Sequence, residues 1–204
     1  MNKINYQKEL DKITDSLNGD VPKLFLHSCC APCSSYTLEY LSNYFDITVY
    51  YFNPNISPKA EFDKRYAEQK RLIEALPSKH PIKLVCGEYD YNDFLKIAKG
   101  YEDVPEGGER CFRCYRMRLE STAKLAKKQG FDYFCTTLSI SPLKSSQKIN
   151  EIGYEVAEKY GIKWLPSDFK KKEGYKRSIE LSREYQLYRQ NFCGCVFSKE
   201  NKDE

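Results

Sequence analysis

Short apolar runs alternate with amphipathic stretches along most of the chain, after an opening segment, roughly Asn5 to Leu17, that reads as a polar helix. The apolar runs fall at Lys23 to Ser28, Ile47 to Phe52, Ile82 to Cys86, Tyr133 to Thr137 and Ile162 to Leu165. Each has the length of a strand. Between them, helical periodicity covers Ser34 to Tyr44, Pro58 to Leu76, Tyr91 to Lys99, Glu109 to Gln129 and Ser145 to Tyr160, and Gly130 stops the fourth of these. A last helix falls near Lys176 to Tyr188. Strands that are apolar throughout and separated by helices build a parallel sheet covered on both faces. The predicted fold class is therefore α/β, followed by a helical C-terminal segment carrying a C-x-C. No repeat or low-complexity tract divides the chain, so residues 1–204 are expected to form one domain, with an N-terminal helix over 1–20 and a C-terminal segment over 171–204.

Three loops follow strands in this scheme: HSCCAPC after the first, NPNISP after the second and SPLKSS after the fourth. Open parallel sheets bind ligands at the carboxyl ends of their strands, so the three are expected to border one site. The stretch GYEDVPEGGER, Gly100 to Arg110, reads as a flexible connection able to act as a lid.

The chain has 204 residues, a net charge of +4, nine cysteines, two histidines and 17 tyrosines. Its charged start, MNKINYQKELDKITDSL, lacks the apolar core of a signal peptide, and no apolar run reaches membrane-spanning length, so a cytoplasmic protein with no membrane partner is expected. In that reducing compartment, nine cysteines point to metal ligands or redox groups before structural disulfides. Basic stretches such as FKKKEGYKR, together with the tyrosines, are compatible with RNA, although solvated helix faces and half-buried rings look the same in sequence.

Cys30 and Cys33 form one C-x-x-C, and Cys111 and Cys114 form another. Two such pairs suffice for a four-thiolate site holding zinc or an iron–sulfur cluster. Cys193 and Cys195 add a C-x-C, and Cys29 stands beside Cys30. Seven thiols exceed one tetrahedral metal, which leaves Cys193, Cys195 and Cys29 for a second metal or Cys193 and Cys195 for a redox-active disulfide. Cys86 and Cys135 lie inside apolar strands and are expected to be small buried hydrophobes. His27, at a strand end, is expected to be a hydrogen-bonded packing residue, and His80 a surface loop residue. No Gly-rich phosphate loop follows the first strand; CCAPCSS stands in its place.

The stretches HSCCAPCSS, YYFNPNISPKAEFDKR, ERCFRCYRMRLESTAKLAKKQGFDYFCTTLSISPLK, IGYEVAEKYGIKWLPSDFKKKEGYKRS and YRQNFCGCVFS closely resemble the cobalamin-independent epoxyqueuosine reductases, the QueH family. The combination of CC-x-x-C, C-x-x-C and YRQN-x-CGC is far more specific than its pieces. Phe192 stands where Tyr is common and Cys135 where Thr is common, and neither is a presumed ligand.

The resemblance implies a Rossmann-like sheet related to the adenine-nucleotide hydrolases, and a 4Fe–4S cluster beside a second iron, another metal ion or a redox-active dithiol. It implies the last step of queuosine synthesis, two-electron removal of an epoxide oxygen from the modified base of tRNA. Cys29, Cys30, Cys33, Cys111 and Cys114 are then the candidate metal ligands, and Cys193 and Cys195 the candidate catalytic thiols. Arg110, Arg116, Lys144, Lys170, Lys171 and Arg189 are candidates for phosphate or base contacts. Tyr115, Tyr188 or a metal-bound water are the candidates to protonate the departing oxygen. With no flavin or nicotinamide motif in the chain, a small reduced iron–sulfur protein is the expected electron donor. Two other readings compete: an iron–sulfur tRNA-thiolating enzyme, which needs an ATP loop this sequence lacks, and a zinc-stapled RNA-binding module without catalysis.

Overall fold

The structure, a computed structural model, describes residues 4–199. Its strands are β1 (Lys23–Ser28), β2 (Asp46–Tyr51), β3 (Ile82–Cys86), β4 (Tyr133–Thr136) and β5 (Lys163–Trp164). All pair in parallel, in the order β3-β2-β1-β4-β5. Each lies within one residue, at either end, of the apolar run that predicted it. The helices are α1 (Tyr6–Ser16), α2 (Ala31–Leu41), α3 (Lys59–Ala75), α4 (Tyr91–Ala98), α5 (Glu109–Lys128), α6 (Ser146–Tyr160), α7 (Gly174–Glu184) and the single turn α8 (Val196–Lys199).

Strand alternation divides the core between the two faces of the sheet. Leu24, Leu26, Ile47 and Val49 pack with Leu10, Leu38, Leu41 and Leu72 from α1, α2 and α3. Phe25, Tyr50 and Phe134 pack on the other side with Leu119, Ala123, Ile149 and Val156 from α5 and α6. With both faces covered, strand positions of either parity are buried, each large apolar side chain contributing about 2 kcal/mol of transfer free energy. At the β5 edge, Gly153 of α6 lies so near Trp164 that a Cβ there would stand 2.3 Å from the indole ring. The Trp164 Nε1–H donates to Asn150 Oδ1 at 3.0 Å, which fixes the ring.

Several expectations need correction. Helix α2 begins at Ala31, not Ser34, and so includes Cys33. Pro32 sits in its first two positions, where proline sacrifices no hydrogen bond, and Cys30 is the N-cap residue. The C-x-C is not carried on a helix. Helix α7 ends at Glu184, and Gln186, with φ of 49°, turns the chain out into a strap that carries Cys193 and Cys195. Cys86 is exposed rather than buried, because β3 is an edge strand and Cys86 is its last residue. Cys135, in the interior of β4, is buried as expected. His80 is only partly exposed in its bend. The Gly100–Arg110 connection is tied to the start of α5: the Arg110 guanidinium donates to the carbonyls of Tyr101, Glu102 and Val104.

The strand order reverses direction between β1 and β4, with β2 and β3 to one side and β5 to the other. Loops leaving β1 and β4 therefore diverge, and the crevice they open is where this class of sheet binds ligands.

Candidate active site: thiols around a switch-point cavity

An open cavity of about 500 Å³ lies at that crevice, lined by Cys29, Cys30 and Cys33 after β1 and by residues 138 and 140–144 after β4. The three sulfurs all lie within 4.8 Å of one another. The Cys29 and Cys30 sulfurs are 3.8 Å apart, close to the spacing of two thiolates sharing one metal. Behind them, Ser28 and Ser34 hydroxyls donate to Gln69 Oε1 at 2.7 and 2.8 Å, and Asn53 Nδ2 donates to the Ser28 carbonyl at 2.8 Å. This buried network fixes the turn that presents the thiols. Hydrogen bonds from Cys30 and Cys33 bring the Cys29 thiol well below its ordinary pKa, while the same contacts hold Cys30 up at about 12 and raise Cys33. Cys29 therefore ionises first of the three.

The second C-x-x-C opens a helix, α5, with Cys111 in its first turn and Cys114 in its second, and Cys111 Sγ accepts from the Gly107 N–H at 3.3 Å. Helix N-termini favour negative charge, which favours a thiolate at Cys33 and Cys111 once a cation is bound. Cys111, Cys114, Cys193 and Cys195 line a smaller adjoining cavity, and Cys193 also lines the larger one. Burial raises Cys111 and pushes Cys114 up to about 11 and Cys195 up to about 12. A bound cation reverses such shifts, since metals take thiolates.

The strap that delivers Cys193 is held from α3 and from the loop before it. Arg65 donates from Nη1 to the Cys193 carbonyl at 3.1 Å and from Nε to Glu61 at 2.7 Å. Ser57 N–H donates to the Gly194 carbonyl at 2.9 Å. Gly194 has φ of 102°, and a Cβ there would meet Ile56 at 3.0 Å and Arg65 at 3.2 Å, so the C-G-C turn needs its glycine.

Of the predicted contact residues, Lys144 and Arg189 line the large cavity. Burial works against the Lys144 charge, but the Cys193 and Cys29 thiolates outweigh it and raise its pKa. Tyr115 lines the small cavity and is buried, which raises its pKa. Arg110 also lines the small cavity, but its Nη1 is committed to loop carbonyls rather than aimed outward at a phosphate. Lys170 buttresses the β4 loop through the Ser139 carbonyl at 2.8 Å and Asp168 at 2.9 Å. Lys171 is exposed but outside the cavity lining. Arg116 pairs with Glu155 on the outer surface of α5 and α6. Tyr188 lies off the cavity, donating its hydroxyl to Glu61 at 3.2 Å. Two cavity arginines, Arg65 and Arg118, were not among the candidates. Arg118 was legible in principle, since Cys111, Cys114 and Arg118 fall on one face of α5 by helical spacing.

Fold and site together define a cysteine-rich α/β protein with a three-thiol group able to hold a metal at the switch point of its sheet. The family described as epoxyqueuosine reductase QueH matches residues 24–201. A protein of that name from Staphylococcus epidermidis is 48% identical over 96% of this chain and 85% of its own length. Its Streptococcus pyogenes counterpart is 43% identical over 96% and 78%, and that of Thermotoga maritima 37% over 86% and 89%. The chain belongs to the epoxyqueuosine reductase QueH family, a family of oxidoreductases. Among the described residues, no helix is long and apolar enough to cross a membrane.

Proposed function

We propose that this protein reduces epoxyqueuosine to queuosine in tRNA at the thiol-lined cavity. The observation that carries the reading is the convergence of seven cysteines on two adjoining cavities, with Cys193 in the wall of both. Such an all-sulfur donor set suits a soft metal or an iron–sulfur cluster. Cys29, Cys30 and Cys33 on one side, and Cys111, Cys114, Cys193 and Cys195 on the other, would hold a 4Fe–4S cluster and a second metal between them. When bound, that group supplies single electrons and a Lewis acid for the epoxide oxygen.

The reaction consumes two electrons and two protons: both carbon–oxygen bonds of the epoxide break, a carbon–carbon double bond forms and the oxygen leaves as water. The cavity volume suits one extruded base and its substituent. Lys144, kept protonated beside the thiolates, donates a hydrogen bond to the departing oxygen as negative charge builds on it. Arg189, exposed at the rim with its Nη1 on Ser182 Oγ at 3.2 Å, meets the RNA backbone. Electrons come from a small reduced iron–sulfur protein.

The test is protein purified without oxygen, assayed for iron, sulfide and single-turnover conversion of epoxyqueuosine tRNA. Iron and sulfide together with product, both lost or reduced to background in Cys193→Ala while the far-ultraviolet spectrum stays native, are expected. Zinc without sulfide, and no product, would hand the site to a structural staple.

A further inference from the structure

Three arginines are buried around the thiols: Arg65, Arg110 and Arg118, exposed by 2%, 2% and 1%. Each leaves one nitrogen without a partner, but two have their charge answered. Arg65 pairs with the Glu61 carboxylate at 2.7 Å. Arg110 is surrounded by the three loop carbonyls that accept from it. Arg118 has neither. Its Nε donates to the Cys114 carbonyl at 3.2 Å, its Nη2 is unpartnered, and among the described residues no carboxylate stands within ion-pair distance of it.

A guanidinium removed from water costs several kcal/mol unless an anion compensates it. Arg118 lines both cavities, and so shares walls with Cys29, Cys30 and Cys33 on one side and with Cys111, Cys114, Cys193 and Cys195 on the other. Glu106 borders the same two cavities without forming an ion pair with it. The thiolates are the anions this charge is placed to meet.

We propose that Arg118 is the resident counter-charge of the thiolate centre, its fixed positive charge stabilising the more reduced, more negative state of the metal group held there and so setting its reduction potential. The proposal rests on the reading of the cavity as a metal–thiolate redox site. Each electron that enters without a proton adds one negative charge, and a buried cation on the shared wall lowers the free energy of that state through a medium of low dielectric constant. Arg118 touches no reacting atom; it acts through the metal group.

The experiment uses the intact protein, loaded without oxygen, as wild type, Arg118→Lys, Arg118→Gln and Arg118→Met, with iron and sulfide content and a spectroelectrochemical titration of each. The wild type and the Lys variant should share a midpoint. The Gln and Met variants should fall by tenfold or more in the reduction equilibrium, 59 mV for a one-electron couple. Loading of the Lys variant alongside failure of both neutral variants is the same dependence on charge, seen at assembly, and also supports the proposal. Fully loaded neutral variants with the wild-type midpoint overturn it. So does a Lys variant that behaves like the neutral ones, since the fork geometry rather than the charge would then matter. A wild type without iron, sulfide or a redox wave overturns the reductase reading itself, an outcome separate from any comparison among variants.

Discussion

A fully buried imidazole must be neutral or find an anion, and His27 is the neutral case. It has no exposed surface, its Nε2–H donates to the Phe52 carbonyl at 3.1 Å, and Nδ1 meets the Thr136 hydroxyl at 2.8 Å. Burial, reinforced by the nearby Arg118 charge, lowers its pKa to about 3 against the ordinary 6.5. Between those values the unfolded chain binds a proton that the folded one refuses, so stability falls as pH drops from 6.5 towards 3 and is unaffected by this residue above 6.5. His27→Asn, which keeps a donor and an acceptor, should flatten that limb. Urea unfolding at pH 7 and pH 5 should show the wild type losing about 2 kcal/mol more than the variant. Equal losses would mean that carboxylates alone set the acid limb. The strand-end position of His27 and its packing role were readable in sequence, because an apolar run surrounds it; the hydrogen-bond partners, 25 and 109 residues away, were not.

At the scale of elements, the strap from Tyr185 to Cys195 shows how a segment without regular structure is held in place. Tyr188 N–H donates to Glu68 at 2.7 Å, its hydroxyl reaches Glu61, and Arg65 joins Glu61 to the Cys193 carbonyl. Glu61 is the shared acceptor, so Glu61→Gln weakens the Arg65 pair and the Tyr188 contact together. It is expected to cost roughly 1.5–3 kcal/mol in urea unfolding and to speed protease cleavage within residues 185–195 before the rest of the chain opens. A variant cut no faster than wild type there would place the strap's stability elsewhere. The C-x-x-C helices teach a related lesson. Proline at the second residue of α2 and glycine at the N-cap of α5 mark both helix starts, and α2 starts three residues before the apolar periodicity that predicts it because Pro32 is compatible with a first helical turn.

For the whole molecule, a net charge of +4 is modest, so the tRNA affinity that the proposed function requires must come from where the cations lie rather than how many there are. Lys144 and Arg189 border the cavity, and Lys171 is exposed nearby in the chain after β5. The other three candidate cations are committed: Lys170 to Asp168, Arg116 to Glu155 and Arg110 to carbonyls. Arg189→Ala should therefore weaken tRNA binding and reduce the slope of log K against log salt by about one, whereas Arg116→Ala should leave both near wild type. Equal effects from the two would return the interface to a diffuse surface charge.

Local pattern alone places the strands nearly to the residue, because a strand buried on both faces must be apolar throughout, and the spacing of the thiols is specific enough to place the chain in its family. The sequence also marked seven cysteines in three short clusters as the candidate site. Which thiols share a cavity follows from the packing of the elements. Cys29, Cys30 and Cys33 come within 4.8 Å of one another, whereas Cys111 and Cys114 line the smaller cavity with Cys193 and Cys195. That arrangement depends on where strap and helix starts come together across the reversal between β1 and β4, a relation among residues far apart in the chain that no local pattern encodes. The same holds for Arg65 and Arg118, whose charges look like ordinary helix-surface cations in sequence and become site residues because the sheet buries the helix faces that carry them.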